Sequence, residues 1–112
     1  MKPAIDIEDL QRLDLRVGTI LSARPNDGAR KPAYVLEIDF GELGTRTSSA
    51  QLAADYEVTE LDGTQIVAVL NLPPRRVAGV RSEVLVLASV ATDGTTRLLR
   101  PDGAVPNGTA IS

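Results

Sequence analysis

Residues 13–23, LDLRVGTILSA, alternate along their whole length, and a glycine sits mid-run. Leu13, Leu15, Val17, Thr19 and Leu21 fall on one side; Asp14, Arg16, Gly18, Ile20 and Ser22 fall on the other. A period of two sustained this far defines a long, half-buried β-strand. Gly18 offers no side chain to pack, so it marks a bend or bulge. Such a strand can serve two sides of a curled sheet.

The remaining segments supply partners for it. Residues 33–40 (AYVLEIDF) put Tyr34, Leu36, Ile38 and Phe40 on one face and Glu37 and Asp39 on the other. Gly41 and Gly44 mark a hairpin into a short polar strand at 45–49. Residues 65–70 (QIVAVL) form a fourth strand, and Pro73 and Pro74, which lack amide donors, stop its pairing. Residues 83–90 (EVLVLASV) form a fifth, apolar on both faces, so its outer side needs a helix or a second subunit as cover. Asp93-Gly94 reads as a hairpin turn into a short strand at 95–100, with further turns at 101–103 and 106–108. Helical turns are expected at 4–12, where Asp6 is the N-cap with Asp9 three residues on, and within 50–63, where Thr59 is the N-cap with Asp62 three on and Gly63 the stop. A helix as short as the first does not persist alone and must dock on the barrel or on a partner subunit.

Five or six strands, one inserted helical segment and no βαβ alternation predict an all-β fold. It is a five-stranded OB-fold Greek-key barrel with short helices at the N-terminus and between strands three and four. A chain of 112 residues is read as one domain, 1–112, with an N-terminal helical extension at 1–12 and a C-terminal extension at 91–112.

Cysteine and histidine are absent. That removes disulfides, thiolate nucleophiles, the usual zinc ligands and the commonest general base at neutral pH. Ser48 and Ser49 would need a positioned base to act as nucleophiles, and nothing places Lys2 or Lys31 beside them. Glu37 and Asp39 alternate with apolar residues and read as a solvated face. No phosphate-loop or dinucleotide fingerprint occurs. No catalytic residue, metal or cofactor is expected. No apolar run approaches the ~20 residues of a membrane helix. The start, MKPAIDIEDL, lacks the apolar core of a signal peptide, so the expected address is the cytoplasm.

Binding is the remaining class, and one stretch concentrates positive charge with rigid backbone: NLPPRRVAGVRSEVLVL, residues 71–87. The prolines aim Arg75 and Arg76, and Arg81 follows closely. Arg30 and Lys31 lie on the first loop, 24–32, and Arg46 on strand three. In an OB barrel these elements converge on one rim, where several cations can neutralise phosphates. A formal net charge of −3 argues against bulk attraction to nucleic acid. Two readings therefore stand on spacing alone: a phosphate-binding rim, or solvated cations balancing Asp and Glu. The aromatic residues are Tyr34, Phe40 and Tyr56, and the first two share the core alternation. Any RNA would be recognised by shape and backbone more than by stacking. The apolar surplus of strand five and the first helix points to a homodimer, or to a groove across it for apolar peptide segments.

Five runs carry a further signal: LDLRVGTI at 13–20, RKPAYVLEIDFG at 30–41, SSAQ at 48–51, NLPPRRVAGVRSEVLVL at 71–87 and LLRPDGAVPNGT at 98–109. Together they closely resemble the CsaA-type members of the tRNA-binding-domain family of OB folds. That domain also occurs at the C-terminus of some methionyl-tRNA synthetases and in EMAP-II-like cytokine precursors. The combination of SSAQ with NLPPRRVAG and SEVLVL is the specific part. The resemblance implies a homodimer built by the terminal extensions, with structure-specific tRNA binding across it. It also implies chaperone-like binding of unfolded preproteins in bacterial secretion, with contact to the SecA motor. By position it maps the binding surface onto Arg30, Lys31, Ser48, Ser49, Gln51, Asn71, Arg75, Arg76, Arg81, Ser82 and Glu83. Asn71, Ser82 and Glu83 are equally suited to brace the corner through backbone hydrogen bonds. Two departures stand out. Relatives commonly carry lysine where this chain has Val35, and basic residues where it has Leu52-Ala53-Ala54-Asp55. Each lost cation weakens phosphate binding. The competing reading is accordingly an export chaperone that binds preproteins and SecA without tRNA; a small-molecule enzyme is a third reading, disfavoured by the poor acid–base inventory.

Overall fold

The computed structural model describes all 112 residues, Met1–Ser112. Its strands are β1 (Leu15–Pro25), β2 (Tyr34–Asp39), β3 (Thr45–Ala50), β4 (Gln65–Val69), β5 (Arg75–Val77), β6 (Val80–Ser82), β7 (Leu85–Val86), β8 (Ala88–Val90) and β9 (Thr96–Leu98). Two short helices, α1 (Ile7–Gln11) and α2 (Val58–Leu61), accompany them. β1 pairs antiparallel with β4 from Leu15↔Val69 to Thr19↔Gln65. From Thr19↔Asp39 to Pro25↔Tyr34 it pairs with β2 instead, across a bulge between Ile20 and Ser22. The five-stranded sheet runs β3-β2-β1-β4-β7.

The two edges of that sheet nearly meet, and polar groups close the seam. Glu83 N–H donates to the Thr47 carbonyl at 2.8 Å. Thr47 N–H donates to the Glu83 carboxylate at 3.0 Å, and Ser49 N–H to Ser82 Oγ at 3.0 Å. Ser48 Oγ donates to the Val84 carbonyl at 3.0 Å. Side chains here take the place of strand partners that the short β7 does not provide, so buried polar groups stay paired. The result is the five-stranded antiparallel OB barrel expected from the strand count.

The core inside it comprises Ile20, Tyr34, Leu36, Ile38, Phe40, Leu52, Leu61, Ile66, Ala68 and Val84. On β1 the inner face is the side that carries Gly18 and Ile20. On the other side Leu13 and Leu21 are 40% and 52% exposed. Gly18 supplies room rather than a bend. A Cβ there would lie 2.6 Å from the Phe40 ring and 2.7 Å from Ile38, and the bulge falls one turn of the pleat later. Val17, on the outer side, is fully buried beside the C-terminal segment.

That segment does more than turn. It fills the edge of β1 that β2 leaves open, with Gly108 N–H to the Val17 carbonyl at 2.7 Å, Val17 N–H to Thr109 at 2.9 Å and Ile111 N–H to Leu15 at 2.9 Å. The Asn107 amide ties three strands. Its Oδ1 accepts from Thr19 Oγ1 at 2.7 Å and Gln65 Nε2 at 3.1 Å, and its Nδ2 donates to Asp39 at 3.3 Å.

Three expectations are corrected. The strand expected at 83–90 is broken at Leu87, whose N–H donates to Val67 and whose carbonyl accepts from Leu99, so β8 leaves the sheet to pair with β9. In α2 the capping residue is Glu57, its N–H held by Glu60 at 2.8 Å, and Thr59 lies inside the helix. Pairing also resumes after the proline corner, in β5 and β6. Elsewhere the turns follow the pattern: Gly63 (φ +79°) ends α2, and Gly94 (φ +90°) turns β8 into β9. There the Asp93 carboxylate accepts from Thr95 N–H at 2.9 Å, which holds its carboxyl below the usual range. The Asp6–Asp9 contact opens α1 as expected. Yet α1 buries no residue in the single chain, leaving Ile7 61% and Leu10 43% exposed.

Gly18→Ala is expected to cost about 1–3 kcal/mol through overpacking against Phe40, read as a lower midpoint in urea unfolding. An unchanged midpoint would contradict the close approach of the ring.

Candidate nucleic-acid interface

Asn71 opens the proline corner and anchors it. Its Oδ1 accepts from Asp14 N–H at 2.8 Å, and its Nδ2 donates to the Arg12 carbonyl at 2.7 Å. The corner is thereby tied to the start of β1. Beyond the prolines the chain forms a hairpin with Arg75 opposite Ser82, Arg76 opposite Arg81 and Val77 opposite Val80. Its turn residues, Ala78 (φ +49°) and Gly79 (φ +82°), both lie in the left-handed region. Two-residue hairpin loops of this kind favour Asn, Asp or Gly at the first position. Alanine there hides the hairpin from a sequence pattern.

The register sorts the arginines. Val77, Val80 and Ser82 share one half-buried face, from which Ser82 reaches β3. Arg76 and Arg81 are cross-strand neighbours on the opposite face, and both are exposed. Arg75 is exposed too but belongs with Ser82, so the corner aims Arg75 and Arg76 to different sides. Like charges directly opposite destabilise a strand pair, and no acid relieves this one. The ion pairs of the molecule are Arg16–Asp14 at 2.6 Å and Arg24–Glu37 at 3.8 Å. Arg30, Lys31, Arg46, Arg75, Arg76 and Arg81 therefore all stand without a carboxylate partner.

The first loop lies against this hairpin. Asn26, nearly buried, closes the loop by donating its N–H to Ala33 at 2.9 Å and accepting from Ala29 N–H at 3.1 Å. Its Nδ2 lies 3.3 Å from both Ser49 Oγ and the Val77 carbonyl, to which it donates. Gly28 abuts the hairpin turn, where a Cβ would meet Ala78 Cβ at 3.2 Å. Arg30 and Lys31 are exposed beside an open depression of about 420 Å³ whose lining includes Pro25, Pro32, Tyr34 and Ala53. Gln51 is exposed just past Ala50, the partner of Tyr34.

The structure thus gathers Arg30, Lys31, Ser49, Gln51, Arg76 and Arg81 around one rim. Ser48, Ser82 and Glu83 are engaged in the barrel seam. Asn71 holds the start of β1. Arg46 lies three residues down β3 from Ser49, about 10 Å at the usual rise, with Nη2 on the Leu43 carbonyl at 3.2 Å. Asn26 is the residue that sequence reasoning passed over. The PND-G run around it reads as an ordinary turn, and its partners lie 23 and 51 residues away.

The two departures also acquire structural roles. Val35 is 2% exposed, between Arg24 and Ser49 on the face that the loop and hairpin close over. Leu52 is in the core, and the Asp55 carboxylate accepts from Thr96 N–H at 2.9 Å. The rings are similarly committed. Tyr34 OH donates to the Tyr56 carbonyl at 2.8 Å, Tyr56 OH accepts from Leu98 N–H at 3.0 Å, and Phe40 is fully buried. What the rim offers is guanidinium, ammonium and amide groups, with little surface for base stacking. No three His, Cys, Asp or Glu side chains gather in a way that can hold a metal ion, and no helix is long and apolar enough to cross a membrane.

Barrel topology and the loops gathered at one rim define an OB-fold domain. Residues 15–110 match the family described as "Putative tRNA binding domain", and the chain belongs to that family. Among curated proteins it is similar to the methionine–tRNA ligases of Methanothrix thermoacetophila (40% identity over 98% of this chain) and Porphyromonas gingivalis (37% over 96%). The chain spans only 16% and 15% of the length of those ligases. Among solved structures that match along their full length are two chaperones. The chaperone CsaA of Bacillus anthracis superimposes with a TM-score of 0.93 at 53% identity, covering 98% of this chain. The CsaA chaperone protein of Picrophilus torridus gives 0.90 at 43% identity, covering 97%.

Ser48→Ala strands the buried seam and is expected to cost about 1–3 kcal/mol of stability while leaving the salt dependence of RNA binding unchanged. Chemical denaturation read beside a binding isotherm checks both halves.

Proposed function

We propose that this chain is a homodimeric, non-enzymatic, cytoplasmic protein that binds tRNA at the rim formed by the first loop and the β5–β6 hairpin. The observation that carries this reading is the Arg76–Arg81 pair: two exposed guanidiniums held opposite each other without an acid. An RNA phosphate supplies the missing negative charge, and charge-assisted bonds to phosphate suit arginine in particular. Arg30 and Lys31 extend the cationic surface across the Asn26 contact. With the aromatic rings committed, recognition falls to the shape and backbone of a folded RNA. Family membership supports the choice of tRNA. The homodimer rests on α1: a five-residue helix that buries no residue in its own chain and leaves Ile7 and Leu10 exposed needs a partner surface.

A second reading is a chaperone for unfolded preproteins with contact to SecA. It is favoured by the exposed apolar residues Ile7, Leu10, Leu13, Leu21 and Leu85, and by the names of the two CsaA structures.

Titrating salt against tRNA binding separates the two. Arg76→Ala with Arg81→Ala is expected to reduce the log–log salt slope by about two phosphate contacts; an unchanged slope removes the hairpin from the RNA site. Under the chaperone reading, affinity tracks peptide hydrophobicity and barely responds to salt. Sedimentation at micromolar concentration is expected to give a dimer, and a monomer would remove the partner proposed for α1.

A further inference from the structure

Three segments distant in sequence meet at Asn26. Its backbone closes the first loop on itself, through Ala33 and Ala29. Its side-chain amide leaves that loop and donates to Ser49 at the end of β3 and to Val77 in β5. The neighbouring Gly28 lets the loop backbone approach Ala78 closely enough that even a methyl group would touch it. Val77 is adjacent to Arg76, and Arg30 and Lys31 lie within the loop that Asn26 closes. No direct bond between the loop cations and the hairpin cations exists, and like charges would drive the two segments apart. The Asn26 amide supplies the hydrogen bond between them, beside the Gly28–Ala78 packing.

We infer that Asn26 is a positioning residue that fixes Arg30 and Lys31 relative to Arg76 and Arg81, so that the RNA backbone meets one preorganised surface instead of two mobile loops. The inference rests on the proposed RNA site and adds to it the residue that sets its geometry. Asn26 touches no RNA. It acts by sparing the complex the entropy of ordering two segments at binding. Removing it lowers affinity without removing a phosphate contact, whereas removing a cation lowers both affinity and salt slope.

The test uses the full chain with unfractionated tRNA as probe. Asn26→Ala and the near-isosteric Asn26→Leu, which lacks the donor and carries no charge, are expected to weaken binding about three- to tenfold, the scale of one or two lost hydrogen bonds. The salt slope stays at the wild-type value. Lys31→Ala and Arg76→Ala are expected to be non-additive in the wild-type background and additive when Asn26 is alanine. Backbone amide exchange of residues 27–33 and 76–81 quickens in Asn26→Ala, while β1 and β2 keep their protection. Gly28→Val wedges the loop from the hairpin without touching Asn26 and is expected to give the same pattern if Asn26→Ala folds poorly. Wild-type affinity in both Asn26 variants overturns the inference, as does a salt slope that falls with them. Should the Arg76/Arg81 double variant keep its slope while exchange still quickens in Asn26→Ala, the RNA site fails and takes the binding role of Asn26 with it. Unchanged exchange overturns the tie itself.

Discussion

The barrel depends on β1 changing partners midway. A bulge adds local twist, and a strand that hands over from one neighbour to the other partway lets a short sheet curl back on itself. Here the bulge between Ile20 and Ser22 divides the work between β4 and β2. The division leaves an open edge at Leu15–Val17, which residues 108–111 fill. It also leaves a gap between β3 and β7, which Ser48, Ser49, Ser82 and Glu83 close. Asn107 stands where β1, β2 and β4 meet and satisfies a polar group from each. In a domain this small, a few side-chain amides and hydroxyls complete what short strands leave unpaired.

The same economy shapes the surface. Ser48, Ser82 and Glu83 of the SSAQ and SEVLVL runs are consumed by the seam, and the tyrosines by the core. The groups left free at the rim are cations and amides. The hairpin holds two of those cations opposite each other on its outer face, while its inner face packs through Val77, Val80 and Ser82. A chain of net charge −3 can present a cationic rim because several of its acids serve structure, Glu83 in the seam, Asp39 beside Asn107 and Asp55 under β9, and the one acid on the first loop, Asp27, is outnumbered by Arg30 and Lys31.

Much of the fold was legible from alternation alone. Strands two to four, the hairpin at Gly94 and the stop at Gly63 follow directly from period and turn chemistry. The phase of β1 did not, because leucines and isoleucine occupy both sides and the choice was made by Phe40, a residue of another segment packing onto Gly18. The β5–β6 hairpin was hidden by two prolines before it and by an alanine in a left-handed position. Of the site, the basic positions were visible, but their grouping was not. Which arginines share a face depends on hairpin register, and which loops adjoin depends on Asn26, whose side-chain bonds span 23 and 51 residues. Ser82 and Glu83 suited ligand or brace equally in the sequence, and in the fold both lie in the seam.

The most direct measurement is amide chemical-shift mapping of the full chain during a titration with tRNA at low salt. The account predicts the largest perturbations at residues 27–31, at Gln51 and at 76–81, a continuous rim across the Asn26 contact. Perturbations centred instead on Arg46 or on the β8–β9 hairpin, with the rim unmoved, would contradict it.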